Sequence, residues 1–255
     1  MTPNLDMFSL EGKTALVTGA NTGLGQGICV AYAKAGANVV GVARRSCEDT
    51  AAKIADIGGN FQEIIADLSD ISVIPQIVSE AEKAFGRVDI LVNNAGIIKR
   101  CDAADVSIED WDSVININEK MVFFLSQAFA KGWLSDHKGG KIINIASMLS
   151  YQGGIRVPAY TASKSAIIGL TRELANEWSK HNINVNAIAP GYMETNNTEN
   201  LRKDEQRSEE ILGRIPAGRW GTPEDIAGAA IFLASEASSY VHGFTLAVDG
   251  GWLAR

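Results

Sequence analysis

The chain has 255 residues, 46% of them hydrophobic and 21% charged, with a formal net charge of −7. This is enough chain to bury a large core, and the acidic balance offers no basic stripe to neutralise phosphates, which argues against a nucleic-acid partner. Residues 1–6 show no basic region followed by an apolar stretch, so no secretory signal is expected, and no apolar run approaches the ~18 residues of a membrane span.

Short β-branched runs alternate with longer helical patterns along the whole sequence. A strand over 13–18 runs into Thr18-Gly19-Ala20-Asn21-Thr22-Gly23-Leu24-Gly25, which opens a helix over 24–35. Glycines let backbone turn tightly and approach a pyrophosphate, and free N–H groups at a helix start attract the anion, so this turn predicts a nucleotide site. A second strand, 38–43, ends at Ala43-Arg44 with no acid to meet a ribose 2′-hydroxyl; Arg44 reads either as a partner for a 2′-phosphate or as a solvated cation. After a helix over 47–57 and a strand over 61–66, Asp67 stands to bond an adenine amino group or to cap the helix of 70–85.

Strand 88–93 leads into Asn93-Asn94-Ala95-Gly96, and one long helix is expected over 108–136 from a start at Ser107. Strand 141–146 ends at Ser147, and a helix over 159–180 carries Tyr160 and Lys164. Four residues apart, these two share a helix face, with Cβ atoms about 5–6 Å apart. A neighbouring ammonium favours the phenolate and brings the phenol toward a working range for proton transfer, and the Ser147 hydroxyl stands to hold a substrate oxygen against it.

Strand 183–189 is followed by Pro190-Gly191 and a polar stretch, 194–213, which reads as an exposed excursion or as a mobile lid spanning about 192–213. Thr222-Pro223 starts a helix over 223–235, and a last strand covers 244–248. Continuous apolar strands separated by helices predict a single α/β domain with a doubly wound parallel sheet covered on both faces. Cys29, Cys47 and Cys101 are odd in number and widely spaced, and read as free thiols of a reducing, cytoplasmic compartment with no metal spacing. His137, His181 and His242 are scattered, and solvated or structural roles are expected for them.

The ordered set Thr18-Gly19-x-x-x-Gly23-x-Gly25, Asn93-Asn94-Ala95-Gly96, Asn118, Ser147, Tyr160-x-x-x-Lys164 and Pro190-Gly191 resembles the short-chain dehydrogenase/reductase family along essentially the whole chain. The resemblance implies a three-layer α/β/α Rossmann-type domain with seven strands, assembled as a homotetramer. It implies that Tyr160 is the catalytic acid/base, that Ser147 orients substrate, that Lys164 bonds the nicotinamide ribose and lowers the phenol pKa, and that Asn118, chosen over the nearby Asn116, holds a water linking the lysine to solvent. The implied cofactor set begins with Gly19, Asn21, Thr22, Gly23, Leu24 and Gly25. It continues through Arg44, Asp67 and Leu68, then Asn94, Ala95 and Gly96 with Asn93 beside them. Tyr160 and Lys164 follow, and Pro190, Gly191, Met193 and Thr195 complete it.

A narrower likeness, to family members acting on keto-deoxy sugar acids, is carried by Ser150–Pro158, Pro190–Thr198, Ile215–Gly221 and the terminal Asp249–Arg255. It implies a sugar-acid substrate and puts NAD slightly ahead, while Ala43-Arg44 argues for tolerance of NADP. A sugar acid needs a cation for its carboxylate. Arg156 is the first candidate or else bonds backbone or a neighbouring subunit, and Arg100 is the second. Gln152 and Tyr192 are further candidates for the substrate pocket, and Met193 stands between pocket and packing. Trp252 and Arg255 either reach a neighbouring subunit's site or seal an interface.

Overall fold

A computed structural model describes residues 5–255; residues 1–4, which carry part of the expectation on a signal, lie outside the described residues. Seven apolar runs form strands at β1 (Thr14–Thr18), β2 (Asn38–Ala43), β3 (Phe61–Ile65), β4 (Ile90–Asn93), β5 (Gly140–Ile145), β6 (Ile183–Pro190) and β7 (Thr245–Val248). They pair in parallel as one sheet in the order β3-β2-β1-β4-β5-β6-β7. The order reverses between β1 and β4, and the crevice outside the carboxyl ends of those strands is where doubly wound sheets bind ligands.

Helices cover both faces, because the central strands are buried along their whole length and need apolar cover on each side. On one face α1 (Gly23–Lys34) packs against α9 (Pro223–Ala234), with the buried Tyr32 donating its hydroxyl to the Ala230 carbonyl at 3.1 Å. On the other lie α3 (Ile74–Phe85), α5 (Met121–Asp136) and α6 (Pro158–Trp178), whose buried faces share a core with Leu16, Leu91 and Ile142. Two shorter helices, α2 (Glu48–Ala55) and α4 (Ile108–Ile115), precede β3 and α5, and α7 (Glu199–Lys203) and α8 (Glu205–Leu212) occupy the polar stretch after β6.

Helix starts follow the local chemistry. The Ser107 hydroxyl accepts from the Asp110 N–H at 3.0 Å, and Thr222 and Asp225 form a reciprocal capping box at α9. One expectation needs correction: residues 108–136 are not one regular helix. A π-helical segment at Asn116–Lys120 separates α4 from α5, and such widened turns recur at functional sites. Among the described residues no helix is long and apolar enough to cross a membrane, and no cluster of His, Cys, Asp or Glu is disposed to hold a metal.

Candidate active site

A cleft of about 370 Å³ opens over the carboxyl ends of β1, β2, β4, β5 and β6. At one end the first turn lines it with Gly19, Asn21, Thr22, Gly23 and Leu24. Gly19 and Gly23 have φ of +69° and +57°, the left-handed region that side chains with a Cβ seldom adopt. The turn is tied to the neighbouring strand end by Thr18, whose hydroxyl accepts from the N–H groups of Asn94 and Ala95, both at 3.0 Å. Asn94 donates its side-chain amide to the Thr18 carbonyl at 2.8 Å, so Asn94, Ala95 and Gly96 line the cleft as a continuation of the same wall.

Gly25 is the exception in that turn. It is buried and does not line the cleft, and a Cβ there would collide with the Gly19 carbonyl. Its part is to let α1 start hard against the turn, not to touch a ligand. Asn93 is a second correction. Its amide points into the core, donating to the Ser126 hydroxyl at 3.0 Å and to Asn144 Oδ1 at 2.9 Å, while Asn144 donates to the Thr171 hydroxyl at 3.0 Å. This buried ladder supports the strand ends beneath the cleft without lining it.

Arg44 lines the cleft past β2, and Asp67 and Leu68 line it past β3. Asp67 accepts from the Ser69 N–H at 3.0 Å, and that turn, with a smaller contribution from Arg44, holds its carboxyl below the usual range. Capping of the following turn belongs to Asp70, which accepts from the Ser72 N–H at 2.8 Å. Asp67 therefore keeps its place in the cleft wall.

The reacting end is built on β5 and α6. Ser147 follows β5 and is held by a local turn: its hydroxyl accepts from the Leu149 N–H at 3.1 Å, and Ser150 in turn donates to the Lys164 carbonyl at 2.6 Å. Ser147, Tyr160 and Lys164 all line the cleft. Lys164 is buried and donates to the Ile145 carbonyl at 2.5 Å, with its ammonium 5.7 Å from the centre of the Tyr160 ring. Burial brings Lys164 down to about 8, so it keeps its proton at neutral pH.

Tyr160 differs from expectation in its electrostatics. Burial pushes the phenol up, and the forces that oppose this are its hydrogen bond with Ser147 and the charge of Arg100. The ammonium of Lys164 points one of its donors at the Ile145 carbonyl and lies 5.7 Å from the centre of the ring.

Asn118 sits in the π-helical segment, buried beside the same corner. Its Oδ1 accepts from the Ile97 N–H at 2.8 Å, and its amide donates to the Ile97 carbonyl at 2.9 Å and the Ser163 hydroxyl at 3.2 Å. A Cβ on Gly96 would lie 3.2 Å from that Oδ1 and 3.8 Å from Lys164 Nζ, so Gly96 is where the cleft wall, Asn118 and the lysine converge. The Asn118 side chain fixes the backbone entering the cleft and does not itself line it.

Pro190, Gly191, Met193 and Thr195 line the cleft from beyond β6, joined by Asn196, Asn197 and Thr198, which sequence reasoning did not select. The signal for Thr198 was available: with Thr195 it forms a capping box three residues on, and it donates to the Met193 carbonyl at 2.5 Å. Asn196 donates to the Thr22 hydroxyl at 3.3 Å, and Arg100 donates to the Asn197 carbonyl at 3.3 Å. The polar stretch thus lies across the cleft between the glycine turn and Arg100.

The substrate candidates divide. Arg156 has φ +64° and pairs with Asp102 at 2.9 Å with 61% of its side chain exposed, and it does not line the cleft. Gln152 and Arg100 do not line it either, although Arg100 reaches the carbonyl of the lining residue Asn197. Tyr192 packs edge-on against Trp220 and Trp252, with ring centres 5.4 and 4.8 Å apart. Trp252 is buried within its own chain, with the Arg214 guanidinium 4.2 Å over its ring, and Arg255 donates to the Gly213 carbonyl at 3.0 Å.

The residues present fit a nicotinamide dinucleotide. The left-handed glycines leave the turn backbone open to a pyrophosphate, Arg44 and Asp67 stand at the far end, and a buried lysine and a phenol stand at the near one.

A family profile described as enoyl-(acyl carrier protein) reductase matches residues 19–253. The chain is 61% identical to 2-dehydro-3-deoxy-D-gluconate 5-dehydrogenase of Dickeya dadantii over 98% of this chain and 99% of that one. It superimposes with a TM-score of 0.93 on a candidate 2-deoxy-D-gluconate 3-dehydrogenase from Agrobacterium tumefaciens with bound NADP, 58% identical, covering 97% of this chain and 99% of that one. A gluconate 5-dehydrogenase from Burkholderia cenocepacia in complex with NADP and tartrate is 37% identical with a TM-score of 0.93, covering 98% and 99%. With seven parallel strands, the glycine turn and the Ser147, Tyr160 and Lys164 set in one cleft, the chain belongs to the short-chain dehydrogenase/reductase family.

Proposed function

We propose that the protein is an NAD(P)-dependent oxidoreductase that interconverts a hydroxyl and a ketone on a deoxy sugar acid of the 2-dehydro-3-deoxy-D-gluconate type. The observation that carries the reaction class is the meeting of Ser147, Tyr160 and Lys164 on one wall of the cleft. Kinship at 61% identity with a 2-dehydro-3-deoxy-D-gluconate 5-dehydrogenase supports the substrate class.

When bound, the nicotinamide accepts or supplies the hydride. Holding the cofactor falls to the glycine turn, to Arg44, Asp67 and Leu68, to Asn94 through Gly96, to Lys164, and to Pro190, Gly191, Met193 and Thr195. Ser147 donates to the substrate oxygen and keeps it against Tyr160, which takes the hydroxyl proton during oxidation and returns it during reduction. Arg100 and Ser147 counter the effect of burial on the phenol, so both ease its loss of a proton. Lys164 keeps a positive charge beside the ring through neutral pH. Asn118 holds the Ile97 backbone, and with it the Gly96 corner, in place.

Arg100 is the better seat for the substrate carboxylate. It is the arginine whose charge reaches Tyr160, and it crosses to the stretch that covers the cleft, whereas Arg156 is paired with Asp102. Tolerance of NADP rests on Arg44, which follows β2 where the strand end itself carries no acid.

We also read the chain as a cytoplasmic homotetramer. Ile108, Trp111 and Phe124 expose apolar surface on α4 and α5, and the three cysteines are free thiols.

Purified protein should change nicotinamide absorbance with 2-dehydro-3-deoxy-D-gluconate, and Tyr160→Phe should lower kcat about 10²–10⁴-fold while leaving NAD(P)H binding intact. Near-normal turnover by that variant would remove the proposed proton transfer. Turnover only of simple ketones or acyl thioesters would remove the sugar-acid reading.

A further inference from the structure

At the opposite end of the sheet, the amino-terminal ends of β1, β4, β5 and β6 and their loops enclose a second cavity of about 300 Å³. Its walls gather cations in a chain whose net charge is −7: Lys13 precedes β1, Lys138 precedes β5, and Lys141 lies on β5. Among the described residues, none of these three ammonium groups forms an ion pair. Arg87 also lines the cavity, but its guanidinium is consumed by Asp89, Asp136 and the Gly139 carbonyl. Asp89 is consumed in turn, accepting from the Thr14 N–H at 3.0 Å as well as from Arg87. The remaining acid in the wall is Glu236, which acts on Lys141 through space.

The polar groups beside the lysines are also incompletely matched. His242 lines the cavity, with Nε2 3.3 Å from the Asn184 amide and Nδ1 buried without a partner among the described residues. Burial holds both Lys141 and His242 low, and Lys13 pushes Lys141 in the same direction. Gathering like charges around a partly dry hollow is unfavourable, and a bound anion would relieve it.

We propose that this cavity is a binding site for a small phosphate dianion, separate from the catalytic cleft. The free cations are all lysines. Compact ammonium charges suit the tetrahedral oxygens of a phosphate, whereas a planar carboxylate is better met by a guanidinium fork, and the one in this cavity is already occupied. The volume lies at the lower end for ligand pockets, which suits inorganic phosphate or a small phosphomonoester.

The test is calorimetric titration of full-length protein saturated with NADP, so that the catalytic cleft is filled, with inorganic phosphate and separately with glycerol 3-phosphate in low-salt buffer. Binding should persist with the cofactor bound. The paired substitution Lys13→Gln and Lys138→Gln should weaken it at least about tenfold. Glu236→Gln should strengthen it about twofold or more by removing the one free opposing charge. Tighter binding of glycerol 3-phosphate would identify a phosphomonoester as the ligand, and equal binding would identify free phosphate. Loss of binding on saturation with NADP would overturn the proposal, as would affinities unchanged in both variants. Among the described residues Lys13 and Lys138 form no ion pair, Lys138 acting on Asp136 only through space, and an unchanged Tm without phosphate verifies that the variants are intact.

Discussion

Neither Arg100 nor Arg156 lines the cleft, but Arg100 donates to the carbonyl of the lining residue Asn197 and places its charge near the phenol of Tyr160, while Arg156 is held by Asp102. A substrate carboxylate seated on Arg100 makes a charge-assisted hydrogen bond worth roughly 1.5–3 kcal/mol. Arg100→Gln should therefore raise KM for a sugar acid about 10–100-fold and also slow turnover, because the phenol loses an opposing charge. Arg156→Gln should stay within about twofold, as expected for an exposed pair. Steady-state kinetics on both variants decides between them, and the reverse ranking would move the carboxylate to the loop before Tyr160. The sequence placed Arg156 first because it lies on the loop between Ser147 and Tyr160, but nearness along a chain says nothing of direction. At φ +64° the backbone of Arg156 turns out of the extended run, and its side chain finds Asp102. The partners of Ser147, Tyr160 and Lys164 were legible because one strand end and one helix turn fix them. The state of the phenol was not, because it depends first on burial by the folded chain and then on Ser147 and on Arg100, sixty residues away.

The segment after β6 shows what an element can do without much core. From α7 to α8 only Ile211 is buried, yet the stretch before them reaches the glycine turn through Asn196 and Thr22 and reaches Arg100 through Asn197. Few buried contacts and a handful of edge hydrogen bonds are the signature of a region that opens locally at little cost. We expect trypsin to cut first at Arg202, Lys203 or Arg207, and saturating NADP to slow that cleavage several-fold. Equal rates with and without the cofactor would leave the stretch an exposed excursion and no lid. Its polar composition and its place past a strand end were readable in advance. The π-helical turn at Asn116–Lys120 was not, because Val114 through Asn118 holds no glycine or proline to mark a break in the helix. What widens the turn is tertiary: Asn118 is drawn to both backbone groups of Ile97.

At the scale of the whole molecule, parallel pairing and two-sided cover followed from continuous apolar runs separated by helices, while the strand order came only with the structure. Assembly did not, since an exposed apolar side chain names no partner. Ile108 is 76% exposed, and Trp111 on the next turn of α4 and Phe124 on α5 are exposed as well. A homotetramer that covers this surface should sediment as four chains, and charged substitutions at Trp111 and Phe124 together should split it into smaller species. A chain that sediments as a monomer would refute the assembly.

The ladder of Asn93, Ser126, Asn144 and Thr171 bears on how this sheet avoids misalignment. Strands buried on both faces lack the polar–apolar alternation that normally sets register, so β4 and β5 would pair almost as well one residue out of step. Asn93 stands opposite Asn144 in the native pairing. A slip of one residue would set it against Ile143 or Ile145 and strand amide groups in a dry core, at about 1–3 kcal/mol for each unsatisfied group. Two asparagines thus work as a key that admits a single alignment, and the strand ends that carry Ser147 and the Asn94–Gly96 wall reach the same level each time the chain folds.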